Sequence, residues 1–205
     1  MSFLEFQQTF SFLPIISVAE IRQWFPNYDV NALTRWQQKG YLEKVRNGYY
    51  RLTHQPIQGE QDLYFIANRI YQPSYISLYS ALRWYDWIPE GVFITTSVST
   101  RKTKQFKTKH SLFTYQRIQP RLFFGYRLLS IGAFRFKIAT PEKALLDFLY
   151  FHPNLKEEPD FSELRLNIFE IKEQIDPYLL AAYLSLFASK VLEKRVAALS
   201  NYLEL

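Results

Sequence analysis

The Asn47-Gly48 pair constrains this chain more than any other feature of its sequence. Asn-Gly between apolar and aromatic residues is the signature of a two-residue type I′ turn, so its flanks are expected to pair as a hairpin. Closure there sets Arg46 against Tyr49, Val45 against Tyr50, Lys44 against Arg51 and Glu43 against Leu52. Side chains alternate faces along a strand, which puts Lys44, Arg46, Tyr49 and Arg51 on one side and Val45, Tyr50 and Leu52 on the other. Lys44 opposite Arg51 is a like-charge pair that weakens the hairpin slightly. A polyanion against that face relieves the repulsion; the alternative is an ordinary solvated face.

What precedes the hairpin sharpens the reading. Asp29 is a good N-cap for a helix that Gly40 stops. A rotation of about 100° per residue groups Ala32, Leu33 and Trp36 on one side, with Val30 at the edge. Asn31, Thr34, Arg35, Gln38 and Lys39 fall on the other, a face of amides and cations able to reach base edges and phosphates, with no carboxylate. Gln37 breaks the pattern. Upstream, Ser17 and Glu20 form a capping box, and Ile16 and Ile21 a hydrophobic staple, for a helix that Pro26 halts. Phe3 to Leu13 supplies a first helix. Helix, tight turn, cationic helix and basic hairpin is the order of a winged helix-turn-helix. The expected DNA-binding residues are Asn31, Thr34, Arg35, Gln38, Lys39, Lys44, Arg46, Asn47 and Arg51. The rival is a winged helix used for protein contacts.

His54-Gln55-Pro56-Ile57-Gln58-Gly59 is a polar joint. The sequence therefore divides into a winged helix-turn-helix over 1–55 and an α+β domain with a C-terminal helical segment over 56–205. Charge is unevenly spread along it: +2 over residues 1–55, +8 over 56–140 and −4 over 141–205. Any anionic partner is thus expected to touch more than the first 55 residues. The densest cations are Arg101, Lys102, Lys104, Lys107 and Lys109, candidate phosphate contacts without a base-reading pattern. The rival is a solvated edge strand guarded by lysines.

Around that strip the pattern alternates between strands and helices. Gln61 to Tyr71 predicts a helix ended by Pro73, and Ser74 a cap for the helix YISLYSALRWYDW, with Ile76, Tyr79, Ala81, Leu82 and Tyr85 on its buried side. Pro89-Glu90-Gly91 predicts a turn, and residues 92–98, 112–118, 121–129 and 134–139 predict strands. Thr140-Pro141 opens the helix PEKALLDFLYF. Two or three helices fill 161–205, Pro177 opening one and Ser189 capping the last. The fold class is α+β.

The segments ANRIYQPSYISLYSAL (67–82) and IATPEKALLDFLYF (138–151), with LFFGY (122–126) between them, resemble the AbiEi antitoxin family of abortive-infection, type IV toxin–antitoxin systems. The resemblance covers most of the chain and is weakest after about residue 155. It implies an N-terminal domain that binds promoter DNA and represses the operon. It also implies a C-terminal domain that counteracts a nucleotidyltransferase-like toxin without forming a stable complex with it. No individual residue is carried over for neutralisation, because both blocks read as structural.

Nothing in the sequence points to catalysis. His54, His110 and His152 share no ligand spacing and there is no Cys, so no metal site is expected. No glycine-rich phosphate loop occurs, no cofactor is implied, and the paired carboxylates of a nucleotidyltransferase are missing. Two alternatives to an antitoxin repressor stay open: a basic nucleic-acid-processing protein with a winged-helix targeting module, and a plain winged-helix regulator. The absence of Cys, of a leader pattern and of a long apolar run makes a cytoplasmic protein without membrane contact the expectation.

Overall fold

The computed structural model describes residues 1–89, 94–132 and 134–204. The first 55 residues place three helices, α1 (Phe3–Phe10), α2 (Val18–Trp24) and α3 (Val30–Gln38), against a small sheet of β1 (Ile16–Ser17), β2 (Leu42–Arg46) and β3 (Tyr49–Leu52) in the order β1-β3-β2. Local capping sets each helix start. The Ser17 hydroxyl accepts from Glu20 N–H while the Glu20 carboxylate accepts from Ser17 N–H, and Ser2 and Glu5 repeat the device. Phe6, Phe10, Ile16, Ile21, Leu33, Trp36, Leu42 and Leu52 are buried together. Each such apolar side chain contributes about 1.5–3 kcal/mol when fully withdrawn from water.

The hairpin closes at Asn47-Gly48, but not as expected. Gly48 has φ +80° and Asn47 is not among the residues with positive φ, so the turn is not type I′, which needs both central residues there. A bulge between Lys44 and Arg46 follows. An unprimed turn splays the strands, and a bulge restores the local twist. The register beyond it shifts by one residue: Lys44 opposes Tyr50 and Glu43 opposes Arg51. The expected like-charge pair of Lys44 and Arg51 is therefore replaced by an opposite-charge pair.

The rest of the chain builds a mixed six-stranded sheet in the order β6-β7-β5-β4-β9-β8. Its strands are β4 (Ser74–Ile76), β5 (Ile94–Ser99), β6 (Lys104–Lys107), β7 (Leu112–Arg117), β8 (Tyr126–Ile131) and β9 (Phe134–Ala139). Neighbours alternate between antiparallel and parallel pairing. Helices α4 (Glu60–Ile70), α5 (Tyr79–Trp84) and α6 (Pro141–Phe151) pack on it, followed by α7 (Glu158–Ser162), α8 (Ile168–Gln174), α9 (Pro177–Phe187) and α10 (Lys190–Leu203). The architecture is α+β with a helical C-terminal segment. Among the described residues no helix is long and apolar enough to cross a membrane.

Two local expectations fail for tertiary reasons. Ser74, Tyr75 and Ile76 form no helical turn; they are a buried strand between β5 and β9, where pairing on both edges overrides the local pattern. Residues 121–125 form no strand either. Pro120–Leu122 is a short 3₁₀ turn, and Gly125 takes φ +66° against the Lys143 side chain. A Cβ on Gly125 would lie 2.9 Å from Tyr183 and 3.0 Å from Lys143, so that close approach requires glycine. The turn expected at Pro89-Glu90-Gly91 and the start of the strand expected at 92–98 lie, at residues 90–93, outside the described residues.

Candidate nucleic-acid interface

Helix α3 exposes the row that its 3.6-residue period predicts. Asn31, Thr34, Arg35, Gln38 and Lys39 are exposed, whereas Ala32, Leu33 and Trp36 are buried against α1 and the hairpin. Gln37, which broke the pattern, donates from its amide to Leu33 O at 3.1 Å. Asp29 caps the helix, accepting from Asn31 N–H at 2.9 Å, and pairs with Arg35 at 2.8 Å. The Arg35 hydrogen bond, then that of Asn31, hold the Asp29 carboxyl below its ordinary value. Arg35 is thus held by the capping residue of its own helix, and both side chains are exposed.

The hairpin divides its cations. Lys44 and Asn47 are exposed. Arg46 is turned toward the larger sheet: its guanidinium donates to Ile70 O and stacks 4.5 Å from the Phe106 ring and 5.7 Å from Tyr71. Arg51 is only 3% exposed. It donates to Glu43 Oε2 at 3.3 Å and to Gln55 O, and its Nη1 lies 2.9 Å from His110 Nε2. Arg46 and Arg51, both expected among the DNA-binding residues, are thus engaged within the chain, where they fasten the hairpin to the rest of it. The cause is the bulge, which sets Arg51 opposite Glu43, together with a docking surface that the sequence alone did not reveal.

His110 is the residue whose role sequence reasoning missed. Its Nε2 also lies 2.9 Å from Glu43 Oε2. Burial pushes the Glu43 carboxyl up, and the hydrogen bonds and charges of His110 and Arg51 outweigh it, leaving it below its ordinary value. A second tie runs from Glu20 on α2 to Arg69 on α4, at 2.5 Å. The polar joint at residues 54–59 is therefore spanned by the Glu20–Arg69 ion pair and by the contacts of His110 with Glu43 and Arg51.

Strand β6, which carries Lys104 and Lys107, is an edge strand of the six-stranded sheet. Arg101, Lys102, Lys104, Lys107 and Lys109 are all exposed. Docking of the hairpin brings Lys44 alongside this edge, where Lys44, Lys107 and Lys109 line one open recess. Arg101 is partly engaged, with its guanidinium 4.9 Å from the Tyr71 ring and a 3.3 Å hydrogen bond to Gln72 O. Two separate basic stretches of the sequence so become neighbours, although Lys-rich edges also serve simply to block strand addition.

The two blocks that carry the family resemblance also meet. Asp147 on α6 accepts from Tyr75 OH at 2.8 Å and Ser77 Oγ at 2.9 Å, and it pairs with Lys143 one turn earlier. Lys143 and Asp147 are both fully buried. Burial pulls the Lys143 ammonium below its ordinary value against the opposing pull of Asp147. Tyr85 OH donates to Ala139 O at 2.5 Å and closes the same seam. A lysine and an aspartate four apart inside a helix whose remaining residues, apart from Glu142, are apolar or aromatic are the sequence signal of this network. No protein-family model matches the chain, and no curated protein matches it.

Proposed function

We propose that residues 1–55 act as a winged helix-turn-helix that binds promoter DNA. On the same reading the chain is an antitoxin and autorepressor of a type IV toxin–antitoxin operon, as its resemblance to AbiEi antitoxins implies. The observation that carries the DNA-binding half is the exposed row Asn31, Thr34, Arg35, Gln38 and Lys39 on α3, with Ala32, Leu33 and Trp36 anchoring the opposite side. Such a helix can lie in a major groove, with its amides and guanidinium at base edges. Lys44 and Asn47 on the hairpin, with Lys107 and Lys109 beside them, then supply phosphate contacts that add affinity without sequence preference. Lys102 and Lys104 extend the strip.

The antitoxin half rests on the resemblance of residues 67–82 and 138–151. The buried contacts between Tyr75, Ser77, Lys143 and Asp147 give those blocks a structural role, so neutralisation belongs to the surface they support. The partner of that activity is a nucleotidyltransferase-like toxin, and no stable complex with it is expected. A band shift with DNA from upstream of the protein's own coding sequence tests the first half. Growth of cells expressing the adjacent gene, with and without this chain, tests the second. Equal affinity for that DNA and a random duplex rejects the repressor; absence of rescue from a toxic neighbour rejects the antitoxin.

A further inference from the structure

Between α4, β4 and the β8–β9 hairpin lies an open groove of about 220 Å³ that the DNA-binding reading does not use. It forms where β4 and β9 part, since the pairing between these strands is at Ile76 and Ile138. Arg69, Arg135 and Lys137 line it, with Asn68 and Ser74 among them and no carboxylate. The Arg69 charge is already met by Glu20. Arg135 is exposed and has no ion pair among the described residues, and Lys137 has only a ring contact, its ammonium 5.2 Å from Tyr126.

Two hydrogen-bonding groups at this groove lack partners among the described residues. Asn68 uses its Oδ1 to accept from Lys137 N–H at 2.5 Å, which leaves its Nδ2 donor buried and unbonded. Ser74, 3% exposed, has a buried Oγ with no partner. Buried polar atoms are nearly always satisfied, so two orphans lining one cationic groove point to a ligand that supplies acceptors. Two uncompensated cations match a dianion, as a phosphate monoester is near neutral pH, better than a singly charged backbone diester. Beside the cations, Leu128 is 52% exposed and gives the groove an apolar ledge.

We propose that this groove binds a phosphate monoester whose remainder is flat and apolar enough to lie on Leu128, as a nucleoside monophosphate is. Arg135 and Lys137, whose charged ends have no ion pair among the described residues, hold the phosphoryl oxygens, and Ser74 Oγ and Asn68 Nδ2, buried in the groove floor of the free protein, donate to them once their side chains turn toward the ligand. Charge-assisted hydrogen bonds of this kind are the strong ones. The inference is independent of the winged-helix reading, because band shifts and nucleotide titrations report on different surfaces.

The test is calorimetric titration of the full chain with inorganic phosphate, adenosine monophosphate, uridine monophosphate and adenosine. The monophosphates are expected to bind more tightly than phosphate, and adenosine not at all. Arg135→Ala is exposed and leaves the fold intact, which unchanged circular dichroism and melting verify; it should weaken binding about tenfold. Ser74→Ala should weaken it severalfold, and Leu128→Ser should affect the monophosphates but not inorganic phosphate. Failure of either monophosphate to bind at about 10 mM overturns the proposal, as does binding that Arg135→Ala leaves unchanged. Loss of DNA affinity in Arg135→Ala with no monophosphate binding assigns the groove to backbone diesters and overturns it equally.

Discussion

Glu43 and Arg51 face each other across the β2–β3 hairpin, with 3.3 Å between Oε2 and Nη1, and His110 from the β6–β7 connection closes on the same pair. The contact joins residues 59 positions apart in sequence, so the hairpin and the six-stranded sheet share one partly buried polar cluster in which Arg51 alone is fully withdrawn from water. A charge withdrawn from water in this way is tolerated only while its partners stay in place.

That arrangement separates the hairpin's cations by experiment. Arg51→Ala leaves the half-buried Glu43 without its cation and should cost about 3–5 kcal/mol, read by denaturant unfolding. Lys44→Ala, on an exposed side chain, should change stability by less than about 0.5 kcal/mol. It should lower the slope of log K against log salt for any duplex by roughly one. An Arg51→Ala protein of unchanged stability but weaker DNA binding would restore Arg51 as a DNA-binding residue.

Acid should dissolve the same cluster. The folded Glu43 carboxyl titrates below its ordinary value of 4.5, so its contribution is complete above that value and is lost as pH falls through the folded value. Glu43→Gln lacks this contribution at every pH. The stability difference between parent and variant should be on the order of 1–3 kcal/mol at pH 7 and shrink as the solution is acidified. Urea unfolding at a series of pH values measures it; a difference that grows in acid contradicts the sign.

The Lys143–Asp147 pair makes an ordered forecast. Asp147→Ala strands an ammonium and two hydroxyl donors, Tyr75 and Ser77, whereas Lys143→Met leaves a carboxylate that still accepts from both. Asp147→Ala should therefore be the more damaging, with losses of about 3–5 kcal/mol in this class of change. Thermal melts that rank the two the other way would show that the hydroxyls contribute little.

What the sequence revealed, and what it hid, divides by range. The caps at Ser17, Asp29, Thr140 and Ser189 were legible because each acts within three residues, and all four side chains accept from their own first turn. The exposed row of α3 was legible for the same reason. The hairpin's position was legible in Asn47-Gly48, but its register was not. One bulged residue exchanges the Lys44–Arg51 opposition for Glu43–Arg51 and moves side chains to the other face. The engagement of Arg46 depends on Ile70, Tyr71 and Phe106, and the setting of Arg51 on His110, none of which is near in sequence. The strand at Ser74–Ile76 likewise exists only because β5 and β9 flank it.

The ion pair of Arg35 with Asp29 yields the final forecast. In the free protein Asp29 does two things: it caps α3 through Asn31 N–H and holds the Arg35 guanidinium at 2.8 Å. Both groups are exposed, so the pair itself adds little to stability, whereas loss of a cap costs about 1 kcal/mol. Serine retains the cap and removes the charge. Asp29→Ser should therefore melt close to the parent yet bind DNA more tightly, because Arg35 no longer leaves a carboxylate to reach a base or phosphate. Arg35→Ala should lose about 1–3 kcal/mol of binding to the native promoter if its contact is a bidentate one to guanine. Combined with Asp29→Ser, it should show no gain from the serine, which a double-mutant cycle reads directly. Band shifts on the native promoter and a random duplex complete the argument: a gain that survives without Arg35 would assign the effect to net charge rather than to this side chain. An Arg35→Ala protein with unchanged affinity for both would remove α3 as the recognition helix.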